Sequence, residues 1–224
     1  MMGAETAFDW VLSHAGATVP CRDIVDQRIC EEVRTGVAYY VPDYEKELAK
    51  IEKKTPAALT REMKIWLYLA NHRGTFDPMS QIDAYFVQLA KKNNMPMFGM
   101  ETVEEYANAV YKAGSETRQK EQMMCLVDNQ SFYQKQMDNV LNGYMMQNMN
   151  TIEQALNEKI GGNCDATAEE AKACQERIAQ WAQKMPGIMT GAPTLFVFGI
   201  EKLPGDKGIL QLLRDAGYTV EGVK

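Results

Sequence analysis

The chain has 224 residues, enough for one large domain or for one domain with a small appendage. Apolar residues make up 46% of it and charged residues 24%, a composition that excludes a natively disordered protein. The 30 acidic side chains outnumber the 24 basic ones, and the net charge of −6 argues against a partner bound through its phosphate backbone, so no nucleic acid is expected.

Membrane and export signals are absent from the pattern of the sequence. It contains no run of about 18 apolar residues, which a membrane-spanning helix requires. The first ten residues contain neither the basic segment nor the apolar segment of a signal peptide, so they do not predict one. The sequence as written therefore predicts either a cytoplasmic protein without a transmembrane segment or a fragment of an exported protein.

The N-terminal quarter of the chain is mostly helical in its pattern. Apolar spacing predicts helices over 4–15 and 23–34, and the composition of 37–41 is typical of a short strand. Residues 43–53 predict a charged helix with a thin apolar stripe. The chain thus divides into a helical appendage over 1–41, a linker helix over 42–55 and a main domain over 56–224.

The main domain carries clear helix start signals. A helix is predicted to open at Thr55-Pro56, with threonine as N-cap and proline in the first position. Thr167 and Glu170 form a capping box, which predicts the start of another helix. The periodicity predicts helices over 79–92, 103–113, 116–147 (with a break near Asp128-Asn129), 151–160, 167–185 and 208–215.

Three apolar segments of the main domain predict strands, over 95–100, 194–199 and 218–223. The segment 194–199 is a continuous apolar run, which is typical of a strand buried on both faces. Together with the helix over 208–215, the last two strands would form a β-α-β unit. We therefore expect a helix-rich α/β fold in which a small sheet is packed by many helices.

Five cysteines occur in the sequence, and none forms a C-x-x-C pair, which argues against structural zinc: Cys21, Cys30, Cys125, Cys164 and Cys174. A helix that starts at Thr167 would carry Cys174 about 10 Å along its axis, which separates it from Cys164. If a disulfide forms, Cys125 would therefore pair with Cys164 or with Cys174. Five reduced thiols are the alternative.

The fifteen methionines include the adjacent pairs Met123-Met124 and Met145-Met146. Thioethers bind soft metals and also line adaptable binding surfaces. Neighbouring residues cannot share one face of a helix, so we expect one methionine of each pair in the core and the other in solvent.

From about residue 56 onward, four segments resemble segments of the TraB/GumN family and occur in the same order along the chain. The N-terminal part of the family pattern has no counterpart here. Gly99-Met100-Glu101-Thr102 is similar to its "GLET" strand end, Glu176-Arg177 to its arginine-bearing helix, and Leu203-Pro204-Gly205 to its C-terminal signature. The four segments are 82–86, 99–104, 176–186 and 199–220.

The resemblance implies a hydrolase-like site that uses a divalent metal such as manganese or cobalt and acts on peptide or envelope-associated substrates. Its elements would be an N-terminal Gly-x-x-His, a glutamate, an arginine and a C-terminal Gly-x-x-His. Glu101 and Arg177 match, and Lys202 stands at the third position; these three are the candidate catalytic residues, and Glu101 is the candidate metal ligand. The resemblance also implies relatives that are exported to the periplasm or envelope.

The departures from the family pattern fall on the metal ligands. Lys202 replaces the C-terminal histidine, and a lysine cation repels a metal. Ile178 replaces an asparagine, and the N-terminal Gly-x-x-His is missing. We therefore expect a catalytically degenerate relative; the alternatives are a non-catalytic binding or scaffold domain and a truncated chimera without independent activity.

Each site residue also has a structural interpretation. Glu101 could act as an anion at the start of the helix that follows it, and Arg177 could be a surface cation. Without a metal, a partly buried Glu101 would need a cation, which Arg177 or Lys202 could supply.

The N-terminal residues carry a second, shorter resemblance. Residues 7–37 resemble a segment near the C-terminal end of bacterial pectate-lyase-type proteins, which lies after their catalytic coils. The chain would then join a lyase-like tail to a TraB/GumN body.

Overall fold

The structure is a computed structural model that describes residues 54–72 and 82–223. The elements predicted over 4–15, 23–34, 37–41 and 43–53 lie outside the described residues. The predicted appendage over 1–41 and the lyase-like resemblance over 7–37 lie outside them as well.

Helices account for most of the described residues. They are α1 (Pro56–His72), α2 (Ile82–Lys92), α3 (Val103–Tyr111), α4 (Glu116–Asp128), α5 (Gln130–Met145), α6 (Met149–Asn157), α7 (Ala168–Met189) and α8 (Ile209–Asp215), with 3-10 turns at Gly162–Cys164 and Ile200–Lys202. Among these helices, we find none with the length and the apolar content needed to cross a bilayer.

The local helix signals in the sequence are confirmed. Thr55 accepts a hydrogen bond from the Ala58 amide, and Thr167 and Glu170 form the expected capping box at the start of α7. Asn129 caps the end of α4, where the break was predicted. Some boundaries differ: α6 is Met149–Asn157 rather than 151–160, and α7 continues through Pro186 to Met189, although proline cannot donate the backbone hydrogen bond of a helix interior.

The predicted α/β fold with a small sheet is wrong, because the described residues, 54–72 and 82–223, contain no strand. The segments 95–99, 193–199 and 218–223 have no regular secondary structure, and no backbone hydrogen bond joins one to another. The segment 194–199 is also not buried on both faces, since Leu195 is 66% exposed. An extended chain becomes a buried strand only when neighbours bond to its edges and cover both faces.

The described residues fall into two compact units. The first comprises 54–72, 102–135 and 159–165, and the second comprises 82–101, 136–158 and 166–223. Helix α5 is shared, with its residues up to 135 in the first unit and those from 136 in the second.

Helices α1 and α4 form the core of the first unit. Leu59 and Met123 are fully buried there, and Met63, Leu126 and Val127 pack around them. This packing accounts for the apolar spacing seen in both helices, which places residues three and four apart on one face.

A buried glutamine joins three helices of the first unit. The Gln119 side chain donates hydrogen bonds to the carbonyls of Tyr111 and Ala113, and its oxygen accepts one from the Ala57 amide at 3.3 Å. Because the amide is 7% exposed, these bonds offset the loss of its contacts with water. Gln119 thus ties the start of α1 and the end of α3 to α4.

A disulfide between Cys125 and Cys164 connects α4 to the 3-10 turn of the same unit. One of the two pairings left open by the sequence is thereby confirmed, and Cys174 is a free, exposed thiol. Arg118 holds the same turn, because its guanidinium donates hydrogen bonds to the carbonyls of Asn163 and Asp165.

The core of the second unit lies between α7 and α8. It consists of Ile178, Trp181, Met185 and Ile209, against which Phe196 and Phe198 of the extended segment 193–199 pack. Only alternate side chains of that segment reach the core, since Val197 is 42% exposed. The segment is therefore covered on one face by α7 and α8.

Three helices of the second unit end in Schellman motifs, in which a residue in the left-handed region lets the last amides bond backwards. The left-handed residues are Asn94 after α2, Gln147 after α5 and Gly217 after α8. After α5, the Gln147 amide bonds to the Tyr144 carbonyl and the Asn148 amide to the Gly143 carbonyl, at 3.0 and 2.8 Å. Glycine and asparagine adopt this conformation readily, whereas glutamine does not.

The disulfide predicts a redox-dependent stability. Replacing Cys125 and Cys164 by serine should lower the free energy of unfolding by about 4 kcal/mol, because the bridge closes a loop of 39 residues in the unfolded chain. Urea unfolding followed by circular dichroism measures the change. Dithiothreitol should destabilise the native chain and leave the double variant unchanged. A Cys174→Ser variant that behaved like the double variant would contradict the pairing.

Candidate functional site

Helix α7 presents three of its side chains toward the segment that carries Glu101. Arg177, Trp181 and Lys184 are spaced by four and three residues, which places them on one face of the helix. All of them lie in the second unit, together with Glu101.

Arg177 and Glu101 form a bidentate ion pair. The Arg177 Nε atom donates to one Glu101 carboxylate oxygen at 2.8 Å, and a terminal guanidinium nitrogen donates to the other. The side chains are 20% and 15% exposed, respectively, so the pair is largely removed from water. Of the two cations that the sequence left open as partners of Glu101, Arg177 is confirmed. The fork geometry explains why arginine, rather than lysine, suits this position.

The Arg177 guanidinium also contacts an aromatic ring, which stacks on a second ring. The Arg177 guanidinium carbon lies 4.7 Å from the centre of the Trp181 ring, a cation–π contact. The Trp181 ring in turn stacks on Phe198, with 5.7 Å between ring centres. Arg177 is therefore held both by the Glu101 carboxylate and by the Trp181 ring.

A second cation contacts the same segment. The Lys184 ammonium donates a hydrogen bond of 2.9 Å to the Met100 carbonyl, directly before Glu101. Sequence reasoning had assigned no role to Trp181 or Lys184, although their spacing from Arg177 along one helical face was a signal that could have identified both.

The contacts of the Lys202 ammonium are with residues other than Glu101. Its ammonium donates to the Cys174 sulfur at 3.8 Å and lies 3.7 Å from a Glu201 oxygen. Cys174 is one helical turn before Arg177 on α7. Lys202 therefore contacts the same helix as the ion pair, while Arg177 supplies the cation that Glu101 needs.

Two glycines shape the loop that carries Lys202. Gly205 has a φ of +84°, in the left-handed region. Three residues later, the Gly208 amide donates a hydrogen bond to the Gly205 carbonyl at 3.0 Å. A Cβ atom on Gly208 would overlap the carbonyl oxygens of Leu203 and Pro204. The Leu-Pro-Gly signature thus has a local structural reason that does not depend on a histidine in the loop.

The cap of helix α3 is built from residues other than Glu101. Thr102 is the N-cap, and it forms a capping box with Glu105, whose side chain accepts a hydrogen bond from the Thr102 amide at 2.7 Å. Glu101 precedes this cap and directs its carboxylate to Arg177. The interpretation of Glu101 as the helix-capping anion is therefore wrong.

The residues around Glu101 do not fit a divalent metal. Within 54–72 and 82–223, no group of three or more His, Cys, Asp and Glu side chains could hold such an ion. First-row transition metals need three or four protein ligands, whereas Glu101 already accepts hydrogen bonds on both oxygens. Ile178, which replaces the family's asparagine, is buried in the apolar core.

Comparison with known proteins places the sequence among those of one family. The model of the TraB/PrgY/gumN family matches residues 25–222. The match begins before residue 56, from which the resemblance was described above, and it includes part of 7–37. No significant match was found among curated proteins or among solved structures.

The ion pair predicts a clear stability effect. Replacing Arg177 by alanine should lower the free energy of unfolding by about 2–3 kcal/mol, since it leaves a mostly buried carboxylate without its cation. Arg177→Lys should lose part of that amount, because lysine keeps the charge but not the fork. Chemical denaturation of the full chain measures both.

The exposed Arg214 on α8 provides the matched control, and Arg214→Ala should change stability by less than about 0.5 kcal/mol. A double-mutant cycle with Glu101→Gln isolates the pair, and it should give a coupling of at least about 1 kcal/mol. Additive effects of the two substitutions would show that the pair contributes nothing.

Proposed function

Because the chain belongs to the TraB/PrgY/gumN family, we propose that it is a catalytically inactive member, related to metal-dependent hydrolases that act on peptide or envelope-associated substrates. The hydrolase relationship rests on the resemblance of the Glu101, Arg177 and Lys202 segments. In this proposal the catalytic roles of the three residues are lost, and their present role is structural.

The bidentate Arg177–Glu101 pair is the observation that carries the proposal. A carboxylate that ligates a metal must offer an oxygen to it, but both Glu101 oxygens accept hydrogen bonds from one guanidinium. The Lys184 ammonium adds a second positive charge at the Met100 carbonyl, one residue before Glu101, and this charge also disfavours a metal cation nearby. The site therefore favours an ion pair in the place where relatives would use a metal.

Lys202, whose contact with α7 lies one helical turn earlier, supports the same proposal. A lysine ammonium has no lone pair with which to ligate a metal, and here it is engaged by Cys174 and Glu201. With Lys202 in the histidine position, the chain keeps the loop of the family but not its ligand.

In place of catalysis, the second unit is suited to bind an extended peptide. Leu195 and Val197 are exposed on an extended segment, and the backbone of 194–198 makes no hydrogen bond to another described segment. Such an edge can pair with an added strand, with pockets or apolar contacts for alternate side chains. We propose a binding or scaffold role for a peptide or protein partner.

The disulfide supports an oxidising compartment for this protein. Bridges such as Cys125–Cys164 persist in the periplasm and outside the cell, whereas cytosolic thiols are kept reduced. This favours export, as the resemblance implies for relatives, over the cytoplasmic location that the sequence as written suggested.

Catalytic inactivity is tested with metals and the purified full chain. Elemental analysis should find manganese, cobalt and zinc only below stoichiometric amounts, and added metals should leave the thermal midpoint unchanged, because a ligand that binds only the folded state would raise it. Peptide hydrolysis should stay at the level of the Glu101→Gln variant. Stoichiometric metal that is lost in Glu101→Gln, together with metal-dependent hydrolysis, would overturn the proposal.

The peptide-binding role is tested by selecting displayed random peptides against the full chain. Enriched apolar peptides should bind with an affinity at least about tenfold weaker in the Leu195→Lys and Val197→Lys variants, since a charge on this edge opposes an apolar strand. Ile65→Lys, on the exposed side of α1, is the matched control and should leave the affinity unchanged. Equal binding by all variants would contradict a role for this edge.

A further inference from the structure

Residues 159–165, here called the strap, lie against helix α4. They belong to the first unit, whereas the chain up to 158 and the chain from 166 onward belong to the second. The strap contains the 3-10 turn Gly162–Cys164, and it ends two residues before Thr167, the N-cap of α7. It is therefore a short passage of the chain through the first unit.

Side-chain burial contributes little to the attachment of the strap. Lys159, Asn163 and the two glycines are exposed, and the remaining residues are only half-buried. A Cβ atom on Gly161 or Gly162 would meet no atom within 4 Å, so the strap is open at these positions. Because apolar burial is the main favourable term in folding, a segment that lacks it needs other contacts to stay in place.

Two kinds of contact join the strap to α4 in the part of the chain that the structure describes. One is the disulfide between Cys164 and Cys125. The other consists of hydrogen bonds from the Arg118 guanidinium to the carbonyls of Asn163 and Asp165. Such bonds replace bonds to water, so their net contribution is small. The disulfide is therefore the main attachment.

The apolar core of the first unit is built without the strap. Its buried cluster consists of Leu59, Met63, Met123, Leu126 and Val127, which all lie on α1 and α4. These two helices can stay packed when the strap detaches. A detachment would then be a local opening of the first unit and not its unfolding.

The disulfide is the part of this attachment that a reductant can break. A dithiol supplies two electrons and two protons: the S–S bond of Cys125 and Cys164 breaks, two thiols form, and the dithiol closes to its own disulfide. Cys164 is half-buried in the turn, whereas Cys125 is 9% exposed. Access therefore favours attack by the dithiol at the Cys164 sulfur.

We propose that the Cys125–Cys164 bridge is a redox-sensitive latch, which holds the strap on α4 when oxidised and lets it detach when reduced. The detached strap uncovers the Cys125 thiol and frees the backbone after Lys159, while α1 and α4 stay packed. The latch changes the folded chain, in contrast to the stabilising effect of the bridge, which arises in the unfolded chain. It lies in the first unit, apart from the proposed function of the second.

Limited digestion of the full chain by trypsin tests the latch at the bond between Lys159 and Ile160. In the oxidised protein, the Ile160 amide donates a hydrogen bond of 3.1 Å to the Asp165 carboxylate, which orders this bond. Dithiothreitol under native conditions should speed cleavage there at least about tenfold, because a protease needs a locally open chain. The bonds after Lys120 in α4 and after Lys172 in α7 are internal controls and should be cleaved no faster.

Variants separate the bridge from the hydrogen bonds. Cys125→Ser with Cys164→Ser should show the fast cleavage without reductant and should not respond to dithiothreitol. Arg118→Ala should stay slowly cleaved while the bridge is intact, because its hydrogen bonds are the weaker attachment. Cys174→Ser, which removes an exposed free thiol, is the matched control and should respond to dithiothreitol as the native chain does.

Alkylation by iodoacetamide, located by mass spectrometry, gives a second measurement on the native sequence. After reduction, Cys125 should be labelled within about tenfold of the rate of the exposed Cys174. A Cys125 thiol that stays protected, unchanged cleavage after Lys159, or fast cleavage of oxidised Arg118→Ala would overturn the latch. Loss of the helical circular dichroism signal on reduction would do so too, because the bridge would then hold the whole unit and not the strap.

Discussion

The second unit depends on the contact of one guanidinium with a carboxylate and an aromatic ring. Arg177 joins helix α7 to the segment that ends at Glu101, and Trp181 behind it stacks on Phe198 of a later segment. Two extended segments without strand partners among the described residues are thereby attached to one helix. In the absence of a ladder of backbone hydrogen bonds between them, side-chain contacts with α7 and α8 hold these segments in place.

The same interaction is compatible with the proposed loss of a metal site from the family framework. Gly205, Gly208 and the Leu-Pro-Gly turn keep the loop for backbone reasons, whatever residue stands at position 202. A carboxylate left without a metal in a largely buried position needs another cation, and the arginine of the family pattern meets that need. The retained motif and the proposed loss of catalysis are therefore compatible.

Sulfur occurs in four different surroundings among the described residues. Cys125 is buried and bridges to Cys164, which stabilises the first unit, whereas Cys174 is exposed and contacts Lys202. Met123 fills the core, but Met145 and Met146 lie in solvent at a helix end. Identical residue types thus differ in role because of where helices end, which a count of residues does not reveal.

The sequence by itself determined most of the helices and the family, and it limited the cation partner of Glu101 to Arg177 or Lys202. The caps at Thr55 and Thr167 act through hydrogen bonds to residues three positions away, so the sequence alone reveals them. A partly buried Glu101 carboxylate needs a cation, which restricts its partner to a basic side chain. Tertiary structure alone decided that 95–99, 193–199 and 218–223 do not pair, because a strand depends on partners distant in sequence. It also decided that Cys164 is the partner of Cys125, that Lys202 turns to Cys174, and that both Met145 and Met146 face water, since each outcome depends on which surfaces the folded chain brings together.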